Sequence, residues 1–261
     1  MAAAVRKQSR SRLRDGIVLT WFGGIQRRIA AGLGAFFLIG AVGLPGLGSH
    51  ETRVAVDSDA VPWTAVVRLQ TPGISRCTGF LIGPQTVVTA AHCLYGRRLG
   101  HFVPPASVHV LSRYTSGNFT RHALAASFRV GDGFDPSLET GQAADLAIVT
   151  LASSVAGPGE VLTLSDGLVP RGTRLTLGGY SQDRAERILA DVSCAALGYT
   201  AGHALLAHDC SGTRGTSGGP LMTQGPDGGW RIVGVQVAGN VNDIGGWAVP
   251  AATIRGLLAR P

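Results

Sequence analysis

The stretch GTRGTSGGP, residues 212–220, places one serine among glycines and ends in a proline. Flanking glycines let the backbone turn sharply and leave the hydroxyl of Ser217 accessible. A serine hydroxyl becomes a nucleophile when a base takes its proton and a third group orients that base. Taken alone, a serine in a glycine-rich loop is usually only a turn residue. The rest of the chain therefore has to supply a base and an orienting group.

Two further polar residues lie in apolar sequence. His92 follows VVTAA and precedes Cys93, and Asp145 begins the apolar run DLAIVTL. Each has an ordinary explanation as a structural histidine or a turn aspartate, but their occurrence in the order His, Asp, Ser is much harder to produce by chance. The pattern predicts His92 as general base, Asp145 as orienting carboxylate and Ser217 as nucleophile, with the N–H groups of Gly215 and Ser217 as an oxyanion hole. Asp132 and Asp135 are weaker candidates for the carboxylate, since no apolar strand follows them.

Short strand-like runs separated by turn residues make up the rest of the chain. Twelve such runs and almost no helical periodicity predict an all-β fold of antiparallel barrels or a sandwich. Residues 252–260 are the exception and predict a C-terminal helix. The runs lie at residues 64–70, 77–83, 86–90, 107–114, 123–130, 145–151, 174–180, 187–194, 204–210, 219–224, 231–239 and 246–250.

Almost all of the excess positive charge lies at the beginning of the chain. Of 23 Lys and Arg and 16 Asp and Glu, residues 1–50 hold seven basic and one acidic residue, a net +6, which leaves 16 − 15 = +1 for residues 51–261. Nucleic-acid binding requires clustered basic residues with interleaved aromatic residues, and residues 51–261 have neither. We therefore expect no nucleic-acid partner.

An apolar segment follows the basic leader at residues 29–48. A positive flank, an apolar core and small residues are typical of an export signal, and cleavage is expected near residues 48–58. About 20 apolar residues are also long enough for an uncleaved membrane anchor. Residues 1–50 are thus predicted to be a basic leader with a signal peptide or anchor, and residues 51–261 to lie outside the cytoplasm.

The four cysteines Cys77, Cys93, Cys194 and Cys210 all lie after the leader. An even number in an exported chain favours two disulfides. Three pairings are possible, of which Cys77 with Cys93 and Cys194 with Cys210 are the local choice. No C-x-x-C pair is present for zinc, and the other histidines lack a ligand spacing. Neither a metal nor a cofactor is predicted.

Three segments together resemble the chymotrypsin-like serine proteases: TAAHC around His92, DLAIVTL from Asp145, and GTSGGPL around Ser217. The resemblance extends over residues 53–260. It implies two six-stranded antiparallel barrels with a boundary near residues 152–172, polypeptide substrates and a serine endopeptidase activity. It also assigns His92, Asp145 and Ser217 the roles given above, and matches Cys77 and Cys93 to the bridge of the histidine loop.

The chain departs from the animal digestive enzymes in informative ways. Those enzymes carry Asp before the serine, which pairs with a new N-terminal amine, whereas this chain has Thr216. The segments ETRVAVDSDAVPWTAVVRL and CTGFLIGPQTVVTAAHC resemble the bacterial branch that contains the glutamyl endopeptidases. Glu-specific members have His at the position of Gln236, and trypsin-like members have Asp at the position of Ser211. An uncharged or polar P1 side chain is therefore expected.

The resemblance also predicts that Val237 to Gly239 pair with the substrate backbone as an added strand. Ser211, Gln236, Val237 and Gly239 are thus the expected substrate-binding residues. We further expect a secreted or periplasmic bacterial monomer, in contact with a membrane only if residues 29–48 stay uncleaved. An inactive, protease-like binding module is the alternative. An α/β-hydrolase is disfavoured, because its Asp and His follow the serine.

Overall fold

The computed structural model describes residues 52–239 and 244–260. The chain separates into two units, Met1–Gly48 and Ser49–Pro261, and all described residues belong to the second. The predicted leader at residues 1–50, with the signal peptide or anchor at 29–48, lies outside the described residues. No described helix has the length and apolar character needed to cross a membrane.

Strands dominate the described residues. In chain order they are β1 (Arg53–Ala55), β2 (Val66–Thr71), β3 (Ser75–Gly83), β4 (Thr86–Thr89), β5 (Tyr95–Gly96), β6 (His101–Phe102), β7 (His109–Ser112), β8 (Arg121–Val130), β9 (Ala147–Leu151), β10 (Thr163–Leu164), β11 (Arg174–Gly179), β12 (Leu189–Tyr199), β13 (Leu206–Ser211), β14 (Pro220–Gln224), β15 (Trp230–Gly239) and β16 (Ile244–Pro250).

The first six-stranded barrel is closed in the order β2-β3-β4-β9-β8-β7, and every neighbouring pair is antiparallel. Its strands are rich in β-branched residues, which pack well on a pleated surface. Val87 and Val88 on β4 and Val149 on β9 have no exposed surface. Burial of both faces explains why these strands are continuous apolar runs rather than alternating ones.

The second barrel has the order β12-β11-β14-β15-β16-β13 and is closed by pairing of β12 with β13. All six of its neighbouring pairs are also antiparallel. Two short strands add to its outside, β1 antiparallel to β12 and β10 parallel to β15. The predicted fold, two six-stranded antiparallel barrels followed by a helix, is confirmed.

Among the described residues there is one α-helix, α1, which extends over Ala251–Leu258; the sequence predicts it at residues 252–260. It begins directly after Pro250, whose missing N–H is no loss at a helix start. Ile254 and Leu257 point into the core. Six short 3₁₀ turns complete the described elements, at Trp63–Ala65, Ala91–Leu94, Pro105–Ser107, Glu139–Ala144, Gln182–Arg184 and Ala201–His203.

The two barrels meet through close backbone packing. A Cβ atom at Gly178 on β11 would lie 2.3 Å from the ring of Trp63, which precedes β2. Thr78 on β3 is fully buried, and its Oγ1 accepts a hydrogen bond from the backbone N–H of Tyr180 at 2.9 Å. A strand of the first barrel is thereby bonded to the chain that leaves β11 in the second.

Candidate active site

His92 lies in the 3₁₀ turn Ala91–Leu94, which follows β4 directly. Its neighbours Ala91 and Cys93 are buried, whereas the histidine side chain keeps 26% of its surface exposed. Cys93 is bonded to Cys77 on β3, so the turn is covalently attached to the barrel. The imidazole is therefore held on a fixed support with its ring partly open to solvent.

Asp145 lies between the 3₁₀ turn Glu139–Ala144 and β9, and it is 5% exposed. Its Oδ1 accepts the backbone N–H of His92 at 2.8 Å, and its Oδ2 lies 2.6 Å from Nδ1 of His92. Because a carboxylate only accepts, the ring proton of neutral His92 is on Nδ1 and the lone pair is on Nε2. The buried carboxylate thus fixes both the position and the tautomer of the imidazole.

The two weaker carboxylate candidates lie elsewhere. Asp132 is exposed and forms an ion pair with Arg260. Asp135 accepts from the N–H and the hydroxyl of Ser137, and these bonds lower the pKa of its carboxyl group. Asp145 is the only one of the three that contacts His92 in the described residues.

The backbone N–H groups around Ser217 divide into two sets. Thr216 donates to Thr213 O at 3.1 Å, Gly218 to Gln236 O at 2.7 Å and Gly219 to Thr216 O at 2.8 Å. The N–H groups of Gly215 and Ser217 have no acceptor among the described residues. These are the two donors that the sequence predicts for an oxyanion hole.

Two glycines in this loop are required by geometry. Gly215 has φ +93° and Gly218 has φ +81°. A Cβ at Gly215 would lie 2.4 Å from Tyr180 O, and one at Gly218 would lie 2.1 Å from Thr78 O and 2.2 Å from Thr89 Oγ1. The loop can therefore lie this close to Tyr180, and to Thr78 and Thr89 of the first barrel, only with glycine at the two positions.

The same contacts bring Ser217 near His92. The backbone N–H of Thr78 donates to Ser217 O at 2.9 Å, and the Cβ position of Gly218 is 3.0 Å from the N of Ala90, at the start of the turn that carries His92. No hydrogen bond joins Ser217 Oγ to His92 Nε2 in the described residues. Such bonds often tighten only when substrate is present.

Comparison with known proteins agrees with this architecture. The family model described as Trypsin matches residues 52–255. The chain belongs to the trypsin family. Glutamyl endopeptidase of Bacillus licheniformis is 33% identical over 91 residues, which cover 33% of this chain and 28% of that protein. This chain therefore matches less than a third of the length of that relative.

Other relatives match over more of their length. Chymotrypsin-like elastase family member 3B of Macaca mulatta is 29% identical over 214 residues, covering 72% of this chain and 83% of that protein. A solved structure of a Glu endopeptidase in complex with MPD shares the fold with a TM-score of 0.64 and 20% identity, covering 78% of this chain and 93% of that one. The predicted chymotrypsin-like class is confirmed, and the Bacillus relative supports the bacterial glutamyl-endopeptidase branch.

Both disulfides join the pairs that the sequence favours. Cys77 and Cys93 are bonded with Cα atoms 6.1 Å apart, and Cys194 and Cys210 with Cα atoms 4.7 Å apart. Each pair lies beside a potential metal ligand, His92 in one case and Asp209 in the other. Because their sulfur atoms are bonded to each other, these cysteines offer no thiolate to a metal.

Thr216, the residue directly before Ser217, makes a contact between two neutral groups. Its side chain is buried, and its Oγ1 lies 3.0 Å from Oγ of Ser181, which is also buried. Each of the two buried hydroxyl groups thus has a hydrogen-bond partner, and neither group is charged. A hydrogen bond between two buried hydroxyl groups, and not an ion pair, therefore holds the loop before Ser217.

The two residues expected to determine specificity are both buried. Ser211 ends β13 and is 6% exposed, and Gln236 on β15 is 5% exposed. Gln236 Oε1 lies 2.6 Å from Nε2 of His208, a histidine that the sequence left without a specific role. Burial lowers the pKa of His208 to about 4, although Gln236, Asp209 and Asp191 act in the opposite direction. His208 is therefore neutral near pH 7.

The end of β15 has one open edge. Its strand pairing with β14 stops at Val235, opposite Pro220, and two bonds follow, from Gln236 N to Gly219 O and from Gly218 N to Gln236 O. Val237 is buried and Gly239 is exposed. From Val237 to Gly239 no described strand pairs on the β14 side.

The sequence does not single out Thr78, although this residue contacts the loop that carries Ser217. Besides its bond to Ser217 O, its Oγ1 donates to Gly215 O at 2.8 Å. The available signal was one polar side chain in the otherwise apolar run CTGFLIG. Such a threonine is common in strands, so the pattern alone does not indicate a role.

Proposed function

We propose that this protein is an exported serine endopeptidase that cleaves polypeptides through an acyl-enzyme at Ser217. The observation that carries this proposal is the pair of hydrogen bonds between His92 and buried Asp145. With its proton on Nδ1, the imidazole has an unprotonated Nε2. That is the state in which a histidine acts as general base.

In the proposed first step Ser217 Oγ attacks the peptide carbonyl carbon and passes its proton to Nε2 of His92. The resulting imidazolium is stabilised by the carboxylate of Asp145. His92 then gives the proton to the leaving amine, and the acyl-enzyme forms. Water attacks the ester in the second half-reaction, again with His92 as base, and restores Ser217.

The negative charge on the carbonyl oxygen needs donors that are ready before the reaction. From Gly215 to Gly219, the N–H groups of Gly215 and Ser217 are those not already used by carbonyl oxygens. We assign them to the oxyanion hole, where one donor contributes on the order of 10²–10³ in kcat. The φ angles of Gly215 and Gly218, +93° and +81°, set the shape of this loop.

We also propose that the substrate backbone binds along the open edge from Val237 to Gly239. Ser211 and Gln236, both uncharged, are then placed to contact the P1 side chain. This supports an uncharged or polar P1 residue rather than Lys or Arg. The chain would act as a monomer on extended peptides.

Export is supported by the sequence of the leader and by the two disulfides, which persist in oxidising compartments. We propose secretion or periplasmic location, with residues 29–48 as signal peptide or anchor. N-terminal sequencing of the protein from cell fractions tests this. A start near residues 48–58 is expected for a cleaved signal, and an intact basic leader in the membrane fraction for an anchor.

A fluorophosphonate probe tests the proposed activity directly. The folded protein with intact disulfides should be labelled at Ser217, whereas Ser217→Ala and His92→Ala should not. Loss of either residue is expected to reduce peptide turnover by a factor on the order of 10⁴ to 10⁶. A correctly folded wild type that binds peptides but is neither labelled nor active would instead indicate the inactive binding module.

A further inference from the structure

The first described residues of the chain contact the segment that leads to Ser217. Strand β1 pairs with β12, and Arg53 lies opposite Asp191. Oγ1 of Thr52 donates to Oδ2 of Asp191 at 2.6 Å and lies 2.8 Å from Oγ of Ser211. The same Oδ2 accepts the backbone N–H of Ser211 at 2.9 Å. The residue before β1 is thereby bonded to the end of β13.

Arg53 makes a second, charged contact with this region. Its Nη1 and Nη2 donate to Oδ1 and Oδ2 of Asp183 at 3.1 and 2.9 Å, and Nη1 lies 3.4 Å from Oγ1 of Thr213. Oγ1 of Thr213 donates to Oδ1 of Asp183 at 2.9 Å. Two parallel bonds from a guanidinium to a carboxylate are stronger and more directional than one bond. Three residues that are distant in the sequence thus contact one another.

The guanidinium of this contact is buried, and the carboxylate is not. The side chain of Arg53 keeps 8% of its surface exposed and that of Asp183 keeps 40%. The hydrogen bonds from Arg53 lower the pKa of Asp183, although desolvation acts in the opposite direction. A buried guanidinium is unfavourable unless it is paired. This contact therefore differs from an ion pair between two exposed side chains, which contributes little.

Residues 213–217, the oxyanion loop, begin at Thr213 and carry the two proposed oxyanion donors. The carbonyl oxygen of Thr213 accepts the N–H of Thr216, the residue before Ser217, at 3.1 Å. A displacement of Thr213 therefore reaches the nucleophile through one hydrogen bond and one peptide unit.

The 3₁₀ turn that carries Asp183, Gln182–Arg184, lies against the oxyanion loop. The N–H of Gln182 donates to the carbonyl oxygen of Arg214 at 2.6 Å. A Cβ at Gly215 would lie 3.2 Å from the same N atom. The guanidinium thus bonds to the turn on one side of this contact and to the loop on the other.

We propose that Arg53 is a positioning residue for the oxyanion loop. Acting through Asp183 and Thr213, it fixes the backbone whose N–H groups stabilise the negative charge of the reaction. Its contacts are made by the side chain, so no free amine is required at residue 52. Removal of the chain up to Arg53 would abolish them. The active protein should accordingly begin at or before Thr52.

This inference rests on the proposed endopeptidase function and is tested in the full chain with a peptide that the wild type cleaves. Asp183→Asn places an N–H donor against the guanidinium, and Arg53→Met removes the guanidinium. Each should lower kcat at least about fivefold and change KM less than about twofold, because misplaced donors act on the transition state. Fluorophosphonate labelling of Ser217 should slow similarly, because the phosphoryl oxygen of the adduct needs the same donors.

Two further variants distinguish positioning from general damage. Arg53→Lys keeps the charge without the paired bonds, so its kcat should lie between those of wild type and Arg53→Met. The double variant Arg53→Met with Asp183→Asn should be no slower than the slower single variant, because both substitutions remove one contact. Additive losses in kcat would contradict the proposed contact.

The ion pair between Arg231 and Asp227 provides a matched control. Nη2 of Arg231 lies 2.6 Å from Oδ2 of Asp227, at the turn between β14 and β15 of the same barrel. Arg231→Met and Asp227→Asn should leave kcat within about twofold of wild type, as expected for a surface pair. Equal changes at the two ion pairs would overturn the inference. So would an unchanged kcat in Asp183→Asn, whose exposed position makes it the variant that decides if Arg53→Met does not fold.

N-terminal sequencing of the fluorophosphonate-labelled protein tests the expected start of the active chain. A first residue at or before Thr52 supports the inference, and a labelled chain with wild-type kcat that starts at Val54 or later contradicts it. A folded wild type that is neither labelled nor able to cleave peptides rejects the endopeptidase function itself. An active wild type with unaffected variants rejects only the role of Arg53.

Discussion

The backbone N–H of Thr78 donates to the carbonyl oxygen of Ser217 at 2.9 Å, which bonds a strand of the first barrel to the proposed nucleophile of the second. The side chain of Thr78 adds two bonds, to Gly215 O and from Tyr180 N. The N–H of Gly215 belongs to the proposed oxyanion hole. One buried threonine therefore holds the loop on both sides of Thr216.

Thr78→Val should lower kcat more than it changes KM. It keeps the backbone bond to Ser217 but leaves Gly215 O and Tyr180 N without the hydroxyl group, and each buried unpaired group costs about 1–3 kcal/mol. We expect a lower free energy of unfolding and a fall in kcat with a smaller change in KM. Thr78→Ser, which retains the hydroxyl, should restore most of both.

Thr71→Val is the matched control. Thr71 is a buried threonine in the same barrel, and within the described residues its Oγ1 has no hydrogen-bond partner. Removing this hydroxyl should leave the free energy of unfolding and kcat close to the wild-type values. Equal effects of the two substitutions in urea unfolding and steady-state kinetics would show that the Thr78 bonds do not position the loop.

Asp145→Asn should lower kcat while leaving the structure of the loop intact. An asparagine can place its NH₂ toward Nδ1 of His92, which would favour the tautomer with the proton on Nε2 and remove the base. A loss of about 10⁴ in kcat is expected, the size found for the same exchange in another trypsin-family enzyme. Peptide turnover and ¹⁵N NMR of the imidazole measure the effect, and an unchanged tautomer with full activity would argue against the orienting role.

The strand pattern of this chain could be predicted from its sequence because most barrel strands are apolar runs between turn residues. Each of the twelve predicted runs overlaps one of the twelve barrel strands. The ends differ because local propensity does not record where pairing stops; residues 64 and 65, for example, belong to a 3₁₀ turn and not to β2. Strands β1, β5, β6 and β10 have only two or three residues, too few for a periodic signal.

The site was predictable where its residues lie in short, distinctive motifs and unpredictable where they depend on contacts between distant strands. His92, Asp145 and Ser217 were selected for their apolar or glycine-rich surroundings. His208 could not be selected in this way. Its contact with Gln236 depends on the strand order β13-β16-β15, which no local sequence pattern contains. Thr78 was missed for the same reason, since its partners are more than 100 residues away.

Gly218→Ala should abolish most activity, and Gly228→Ala should not. Both glycines have a positive φ, +81° and +74°, so backbone strain is similar. A Cβ at Gly218 would lie 2.1 Å from Thr78 O, whereas nothing lies within 4 Å of one at Gly228. We expect at least about 100-fold lower kcat/KM for the first variant, because a displacement of about 1 Å at a reacting group has effects of this size. Similar activity of the two variants would show that the loop tolerates displacement.

His208 should make the folded protein less stable as the pH falls from about 6.5 to about 4. Its pKa is about 4 in the folded state, lowered from 6.5 by burial, with Asp191, Asp209 and Gln236 opposing the shift. Between these values the unfolded chain binds a proton that the folded chain does not, so protonation favours unfolding. Each pKa unit corresponds to 1.36 kcal/mol, which gives a loss of about 3 kcal/mol by pH 4.

Urea unfolding at several pH values measures this loss, with His208→Gln as the control because it retains an N–H donor to Gln236 without a titrating ring. The variant should show a flatter profile between pH 6.5 and 4. Below that range both proteins should lose stability together, because Glu160, Asp183 and Glu186 have lowered pKa values and lose their favourable contacts on protonation. Identical profiles of the two proteins above pH 4 would mean that His208 is not buried as a neutral ring.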